Sequence, residues 1–304
     1  MVASGPAGPR RRLGTELRKL RNGAGLHLDE VAQALGCSAS KVSRLETGKG
    51  VPKASDIRQL IRLYGRTAED ERETLLQLVR DSRAEGWWTT YTDGVQPERF
   101  FLDVPGRYAA LETDAVALRT FDVGPLHGLL QIPDYTRAVL SAQLAHHSAQ
   151  EIEQLVELRL RRQERLHTED PLRVTAVVDE SVLFRVVGGP DVMDAQMRHL
   201  LDLMELPHLV VRVLPFSAGV LRSHLGPLSL LQIPDDLGSD LVYIEGHAGE
   251  TFLEGESDVE LYRDVFEDAL ARCLDAGASR EAVRRSVSRS APPGRSLRDR
   301  IQGQ

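Results

Sequence analysis

Apolar residues recur with a helical period through the first quarter of the chain. The spacing i, i+3 or i+4, i+7 is present in residues 13–20, 28–35 and 57–64. This period predicts amphipathic helices. The segments "NGAG" (22–25) and "TGKGVP" (47–52) are typical of turns. A further, longer helix is predicted to begin at Thr67, which can cap it, and to end near "EGWW" (85–88). Five consecutive helical segments are predicted in all.

The pattern changes in the longer remainder of the chain, where helical and β-branched segments alternate. Helices are predicted for "YAALETDAVALRTF" (108–121), "QEIEQLVELRLRRQERLH" (150–167), "VMDAQMRHLLDLMEL" (192–206) and "DVELYRDVFEDALARCL" (258–274). Strands are predicted for "LRVTAVVDE" (172–180), "HLVVRVLPF" (208–216), "GPLSLLQIP" (226–234) and "DLVYIEG" (240–246). The helix between the first two strands suggests a parallel crossover, and the short turns afterwards favour antiparallel neighbours.

These patterns predict an α+β protein: an all-α five-helix domain followed by a larger α+β domain with a mixed sheet. The expected segments are a disordered amino terminus at 1–10, the helical domain at 11–66, a linker helix at 67–88, the α+β domain at 89–276 and a basic, disordered tail at 277–304.

Composition limits the class of protein. The chain has 304 residues, of which 41% are hydrophobic, which suits one small and one ordinary domain. Cys37 and Cys273 are too few for a disulfide framework, as is usual in a reducing compartment. The amino terminus lacks the apolar region of a secretory signal, and no apolar run approaches the roughly 18 residues of a membrane helix. We therefore expect a soluble cytoplasmic protein.

Charge divides the chain into two parts. Residues 1–66 contain 13 Lys and Arg against 5 Asp and Glu, a net charge of +8. The remaining residues contain 25 against 40, a net charge of −15. A basic head on an acidic body predicts an anionic partner for the head alone. The alternative is a chance scatter of charge.

The segment "LDEVAQALGCSASKVSRL", Leu28 to Leu45, satisfies the steric pattern of a helix-turn-helix. Ala32 is small where two short helices would cross, and Gly36 supplies an unhindered turn. Ser38 can cap the second helix. We interpret that helix as a recognition helix for the DNA major groove; the alternative is a solvated helix of a small bundle. The residues expected on the inner faces are Val31, Leu35, Val42 and Leu45.

Residues 11–66 resemble the XRE/Cro-type repressor domain, in which "SxSKVSRLExG" is a frequent recognition-helix sequence. The resemblance implies three groups of DNA contacts: base-facing positions at Ser38, Ala39, Ser40 and Ser43, a base or phosphate contact by Arg44, and phosphate contacts by Lys41, Lys49 and Lys53.

The same resemblance implies a structural pair between Arg21 of the first helix and Glu46 of the recognition helix. The chain departs from the family at the start of the second helix, where Ser or Thr followed by Gln is usual. It has His27 and Leu28 instead. The residues that usually supply one helix cap and one phosphate contact are thereby absent, so we expect weaker or more salt-sensitive DNA binding.

Residues 87–276 resemble the large carboxyl-terminal domain of actinomycete XRE regulators of the toxin–antitoxin-like type. The segments that carry the resemblance include "LETDAVALRTFDVGPLHGLLQIPDYTRAVL", "VVDESVLFRVVGGPDVMDAQMRHLL" and "LVYIEG". The usual "PGLLQT" is here "HGLLQI" (127–132). The resemblance implies a regulator encoded beside a small partner protein.

Other chemistry in the large domain is weakly specified. Asp179, Glu180, Glu245, His247 and His224 follow or adjoin strands, but no catalytic motif fixes their spacing, so we expect no enzyme, metal or cofactor. The loop 214–228 is a candidate small-molecule rim or a plain connection. The run 159–166, "RLRRQERL", is a candidate site for a phosphate or an acidic partner, or a solvated helix face. The tryptophan pair at 87–88 could anchor an interface or pack between the domains.

The leading hypothesis is a sequence-specific transcriptional regulator, an autoregulatory repressor in the nucleoid. We expect it to bind a pseudo-palindromic operator in double-stranded DNA as a homodimer, with an unknown small-molecule ligand or a small protein encoded nearby as further partners, and no membrane. The alternative is an antitoxin-like protein whose main role is to bind that small protein, with DNA binding as feedback.

Overall fold

The computed structural model describes residues 7–48, 50, 52–65, 69–83, 86–95, 105–234, 239–246 and 249–287. The chain divides into two compact units. The first contains the described residues within 7–93, 105–116 and 231–240. The second contains those within 94–95, 117–230 and 241–287.

The first unit is built from helices, as the apolar period predicts. They are α1 (Ala7–Gly23), α2 (Leu28–Leu35), α3 (Ala39–Glu46), α4 (Ala54–Leu63), α5 (Glu69–Asp81), α6 (Thr89–Thr92) and α7 (Pro105–Asp114). The apolar faces of α1 to α5 meet in one core because none of these helices can bury its own apolar stripe. The most deeply buried members of that core include Leu13, Leu17, Val31, Val42, Ile57 and Leu60.

The first unit is larger than the predicted domain. Because α5 and α7 both pack against α1, the unit continues past the expected boundary at residue 66. Helix α1 begins at Ala7, so the predicted disorder of residues 1–10 is wrong for 7–10. Residues 1–6 and the predicted cap Thr67 lie outside the described residues.

The tandem tryptophans pack within the first unit. The two indole rings meet edge to face with centroids 5.9 Å apart. Trp87 Nε1 donates to Thr113 Oγ1 at 3.3 Å, and the Trp88 side chain is buried. These contacts join α6 and α7 and serve the packing of this unit itself.

The second unit combines a sheet with helices. Its strands are β1 (Ala117–Asp122), β2 (Arg173–Asp179), β3 (Leu209–Leu214), β4 (Leu228–Gln232), β5 (Leu241–Gly246) and β6 (Gly249–Leu253). The last two residues of β4 fall in the range assigned to the first unit. Its helices are α8 (Pro133–Gln143), α9 (Ala149–Gln163), α10 (Glu180–Phe184), α11 (Pro190–Leu203), α12 (Glu256–Ala271) and α13 (Ala276–Val287). The predicted fold class, a helical domain followed by an α+β domain with a mixed sheet, is confirmed.

The six strands lie in the order β3-β2-β1-β4-β5-β6. The β1–β2 and β2–β3 pairs are parallel, with Phe121 opposite Val177 and Val177 opposite Arg212. The β5–β6 pair is antiparallel. Phe121 and Val177 are fully buried in a core that α12 covers with Phe266. The carboxyl ends of β1, β2 and β3 therefore lie along one edge of the sheet.

Three predictions about this unit were wrong in part. The helix expected at 108–121 ends at Asp114, and 117–122 form β1 because parallel pairing with β2 outweighs local helix propensity. Strand β4 lies beside β1, not beside β3 as the short connection suggested. The tail expected to be disordered from residue 277 is helical as far as 287, since Val283 is buried and the Ser279 Oγ accepts the Val213 N–H at 3.0 Å. Sequence reasoning also missed β6.

Residues 288–304 lie outside the described residues. Within the described part of the chain, no helix has the length and apolar character needed to cross a bilayer.

Candidate DNA-binding face

Gly36 and Ser38 shape the turn between α2 and α3. Gly36 adopts the left-handed conformation at φ +63°, which a residue without Cβ reaches without strain. The Cys37 N–H donates to the Ala32 carbonyl at 2.9 Å and closes the end of α2. The Ser38 Oγ accepts the Lys41 N–H at 3.2 Å and caps the start of α3. The chain thus turns from one helix into the next over three residues, as a helix-turn-helix requires.

The apolar residues of α2 and α3 fix the orientation of both helices. Val31 and Val42 are 0% and 1% exposed, and Ala32 and Leu45 are each 5% exposed. Leu35 is partly buried against the same core. Because these positions set the rotation of α3 about its axis, the opposite face of α3 is presented to solvent.

Helix α1 packs closely against the carboxyl end of α3 at Gly14. A Cβ at this position would lie 2.6 Å from the Glu46 carbonyl oxygen and 2.7 Å from that of Leu45. Both neighbours are backbone atoms, so a larger residue can be accommodated only if a helix moves. Glycine is therefore required for the seating of α3 on α1.

An ion pair fixes the same junction. Arg21 Nε donates to Glu46 Oε1 at 2.7 Å and Arg21 Nη2 to Glu46 Oε2 at 3.0 Å. Arg21 Nη1 also donates to the Leu26 carbonyl at 2.9 Å. The Glu46 and Arg21 side chains are 3% and 13% exposed, and the hydrogen bond to Glu46 raises the pKa of Arg21. One guanidinium thus connects α1, the loop before α2 and the end of α3.

The predicted base-facing residues differ in how much of each side chain is available. Ser40 and Arg44 are exposed, and Ser43 is half-buried. Ala39 packs partly against the core, and the Ser38 hydroxyl is engaged as the helix cap. Of this set, Ser40 and Arg44 present the most accessible polar groups.

The predicted phosphate contacts also differ. Lys53 is exposed immediately before α4, whereas Lys49 lies outside the described residues. The Lys41 Nζ donates to the Asp56 Oδ2 at 2.6 Å, and this hydrogen bond raises the pKa of Lys41. Sequence reasoning missed Asp56, because a pairing between side chains 15 residues apart on two helices leaves no periodic signal.

The unusual start of α2 keeps part of a cap. The His27 backbone N–H donates to the Glu30 Oε2 at 2.7 Å, so the acid at the third helical position satisfies one free amide. The cap expected to be missing is in this way partly replaced.

Two family models match the chain. One, described as "Domain of unknown function (DUF5753)", matches residues 105–285, more than half of the chain. The chain belongs to the DUF5753 family. The other, described as "Helix-turn-helix domain", matches residues 12–75. No match was found among curated proteins or among solved structures.

The match over 12–75 includes α2, the turn and α3 and agrees with their geometry. The chain therefore has an amino-terminal helix-turn-helix domain, which supports a DNA-binding regulator. The DUF5753 match covers the whole six-stranded sheet.

Within the DUF5753 region, a buried carboxyl lies at the carboxyl end of β1. Asp122 is 4% exposed, and burial raises its pKa to about 7. Its Oδ2 accepts the His127 N–H at 2.8 Å and its Oδ1 accepts the Thr120 hydroxyl at 2.7 Å. Asp122 thereby holds the start of the "HGLLQI" segment. Sequence reasoning missed this residue, since a strand-end aspartate usually faces solvent.

The strand-end acids that sequence analysis considered for catalysis have packing partners. The His224 Nε2 lies 3.1 Å from the Asp179 Oδ2, and the Phe216 N–H donates to the Glu180 Oε2 at 2.7 Å. The Tyr243 hydroxyl lies 2.9 Å from Glu245. His247 lies outside the described residues, among which no group of three or more His, Cys, Asp and Glu could hold a metal ion.

Proposed function

We propose that the protein is a sequence-specific transcriptional regulator that represses its own operon through an XRE/Cro-type domain. The observation that carries this proposal is the face of α3, where Ser40 and Arg44 are exposed while Val42 and Leu45 are held in the core. Arginine and serine side chains bind base edges in the major groove. The net charge of +8 in residues 1–66 supplies affinity for phosphates.

The regulator acts, in this proposal, as a homodimer on a pseudo-palindromic operator. A single domain of this size buries only about 600–1,000 Å² against DNA, which rarely gives tight specific binding. Two domains whose α3 helices lie about 34 Å apart reach successive major grooves on one face of the duplex. Genome-wide mapping of bound sites tests the proposal: it predicts an inverted repeat upstream of the protein's own gene, and an absence of bound sites would contradict it.

Arg44→Ala is expected to weaken binding to that operator by about 1–3 kcal/mol, because the exposed guanidinium contributes a bidentate base contact. Fluorescence anisotropy with operator and scrambled duplexes measures the change, which should be larger for the operator. Arg198→Ala is the matched control, since Arg198 is an exposed arginine of α11 in the second unit. An unchanged affinity and footprint for Arg44→Ala would contradict the assignment.

Asp56→Asn is expected to raise the affinity for all duplex sequences. The substitution releases the Lys41 ammonium from its partner and removes a negative charge beside α3. A freed phosphate contact should steepen the slope of log K against log salt by about 0.9. Binding is measured by salt titration of anisotropy.

The control for Asp56→Asn is the same change in a Lys41→Ala background, where the gain should largely disappear. Lys41→Ala alone should weaken all sequences alike. Two outcomes would show that Lys41 does not contact a phosphate. One is an effect of Lys41→Ala at a single base position, and the other is an equal gain in DNA affinity from Asp56→Asn with and without Lys41.

A second candidate function is the binding of a partner protein, with DNA binding as feedback. The observation that favours it is a group of large apolar side chains exposed in the second unit, among them Phe216, Val220 and Leu225. Co-purification of a small protein from the native host would support this candidate. Full operator binding by the pure chain would support the first.

A further inference from the structure

Exposed apolar side chains are concentrated at one place in the second unit. Among the described residues, eight large apolar side chains are exposed, and five of them lie in two segments. We call these five the apolar cluster: Phe184, Val186, Phe216, Val220 and Leu225. Val220 and Leu225 are each 93% exposed. Chains that work alone rarely concentrate apolar surface in this way.

The two segments that carry the apolar cluster are held beside each other. The Phe184 and Phe216 rings stack with centroids 5.9 Å apart and an interplanar angle of 27°. The Phe216 N–H donates to the carboxylate of Glu180 at the start of α10. These contacts fix the segment after β3 against the helix that follows β2.

A second set of contacts fixes the Val220–Leu225 segment. The His224 Nε2 bonds to the Asp179 Oδ2 at 3.1 Å, while the Leu221 N–H donates to the His224 Nδ1 at 3.0 Å. The His224 ring also meets the buried Phe121 ring edge to face at 5.7 Å. Both ring nitrogens of His224 are thus engaged. The loop that exposes the neighbouring apolar residues is therefore held in a defined conformation.

Two exposed arginines lie within the segments that carry the apolar cluster. Beside these segments, the Asp179 carboxylate pairs with His224, the Glu180 carboxylate accepts the Phe216 N–H, and Asp191 is exposed. Residues 184–190 and 215–227 themselves contain no Asp or Glu. They contain Arg185 and Arg222, which are both exposed. An apolar surface beside two cations is complementary to an amphipathic segment with carboxylates next to its apolar side chains.

Pairing of the apolar cluster with itself in a second copy is disfavoured by the same charges. A two-fold interface places identical surfaces against each other. Four arginines, Arg185 and Arg222 of each copy, would then share one interface, while the adjoining Asp179 and Glu180 carboxylates are already engaged by His224 and the Phe216 N–H. The occupant that fits is a different chain with an acidic surface.

We propose that the apolar cluster is the docking surface for an acidic, amphipathic segment of a partner protein. Its apolar side chains pack on Phe216, Val220 and Leu225, and its carboxylates pair with Arg185 and Arg222. The proposal deepens the second candidate function above and is independent of DNA recognition by α3.

Selection from a displayed library of random peptides, with the full-length chain as bait, tests this proposal. The expected result is enrichment of peptides that combine Leu, Phe or Trp with Asp or Glu. Binding of an enriched peptide should fall about tenfold or more in the Val220→Ser/Leu225→Ser double variant. Leu261→Ser is the matched control, because Leu261 is an exposed apolar residue of α12 outside the cluster and its substitution should leave binding unchanged.

A charge reversal provides the second variant. Arg222→Glu should lose affinity for the acidic peptide and regain it when one peptide carboxylate is replaced by lysine. Enrichment of no peptide, enrichment of basic peptides, or equal binding by the variants would overturn the proposal. Analytical ultracentrifugation shows whether the apolar cluster instead mediates self-association. A wild-type dimer that is lost in the double variant would overturn the proposal and identify a second copy of the chain as the occupant. Anisotropy with operator DNA separates this test from the first function, since the double variant should bind DNA as the wild type does.

Discussion

Glu46→Ala is expected to lower the free energy of unfolding of the first unit by about 3–5 kcal/mol, the cost of removing one partner from a buried ion pair. The Glu46 carboxylate is the bidentate partner of Arg21, and its side chain is 3% exposed. Alanine leaves the Arg21 guanidinium, whose side chain is 13% exposed, without its acidic partner. Its hydrogen bond to the Leu26 carbonyl does not neutralise that charge.

Urea unfolding followed by circular dichroism measures this loss, with the slope of the transition used to detect any change in the unfolded state. Arg18→Ala is the control. The Arg18 Nε lies 3.7 Å from the same carboxylate, but its side chain is 52% exposed, so its contribution should stay below about 1 kcal/mol. A loss of less than about 1 kcal/mol for Glu46→Ala would contradict the structural role of the pair.

Gly14→Ala is expected to destabilise the first unit by about 1–3 kcal/mol, although alanine is the better helix former. The added methyl group would lie 2.6 Å from the Glu46 carbonyl oxygen. Relief of that overlap requires α1 and α3 to separate. This separation would also displace the exposed face of α3, so operator affinity should fall together with stability.

Gly23→Ala is a matched control in the same helix. A Cβ at Gly23 meets nothing within 4 Å, so this variant should be as stable as the wild type or slightly more so. Thermal unfolding and anisotropy of both variants under identical conditions make the comparison. Equal stability and operator affinity of Gly14→Ala and Gly23→Ala would contradict the claim that the close approach of α1 and α3 fixes the position of the recognition helix.

The helices of the first unit could be predicted because their signal is local. The apolar period and the Gly36 turn specify α2 and α3 without knowledge of distant contacts. The resemblance also implied the pairing of Arg21 with Glu46. Asp56 and Gly14 could not be found in this way, since each matters only through a neighbour on another helix.

In the second unit the errors have a common physical cause. The segment 117–122 becomes a strand because β2 is available to pair with it, and a single sequence does not reveal that partner. Residues 277–287 are helical because Val283 and Ser279 meet the rest of the unit, in spite of a composition typical of disorder. The sequence analysis singled out the loop 214–228 but not its association with Phe184, because a contact between rings 32 residues apart leaves no periodic signal.

The exposed face of α3 is the proposed site of duplex DNA recognition. Selection of binding sites from a random double-stranded library by the full-length chain at modest ionic strength tests it most directly. We expect enrichment of inverted half-sites whose centres are about one helical turn apart. A Ser40→Ala/Arg44→Ala variant that remains folded should lose that enrichment. Enrichment of no duplex, or the same enriched sequence with that variant, would contradict the proposed role of α3.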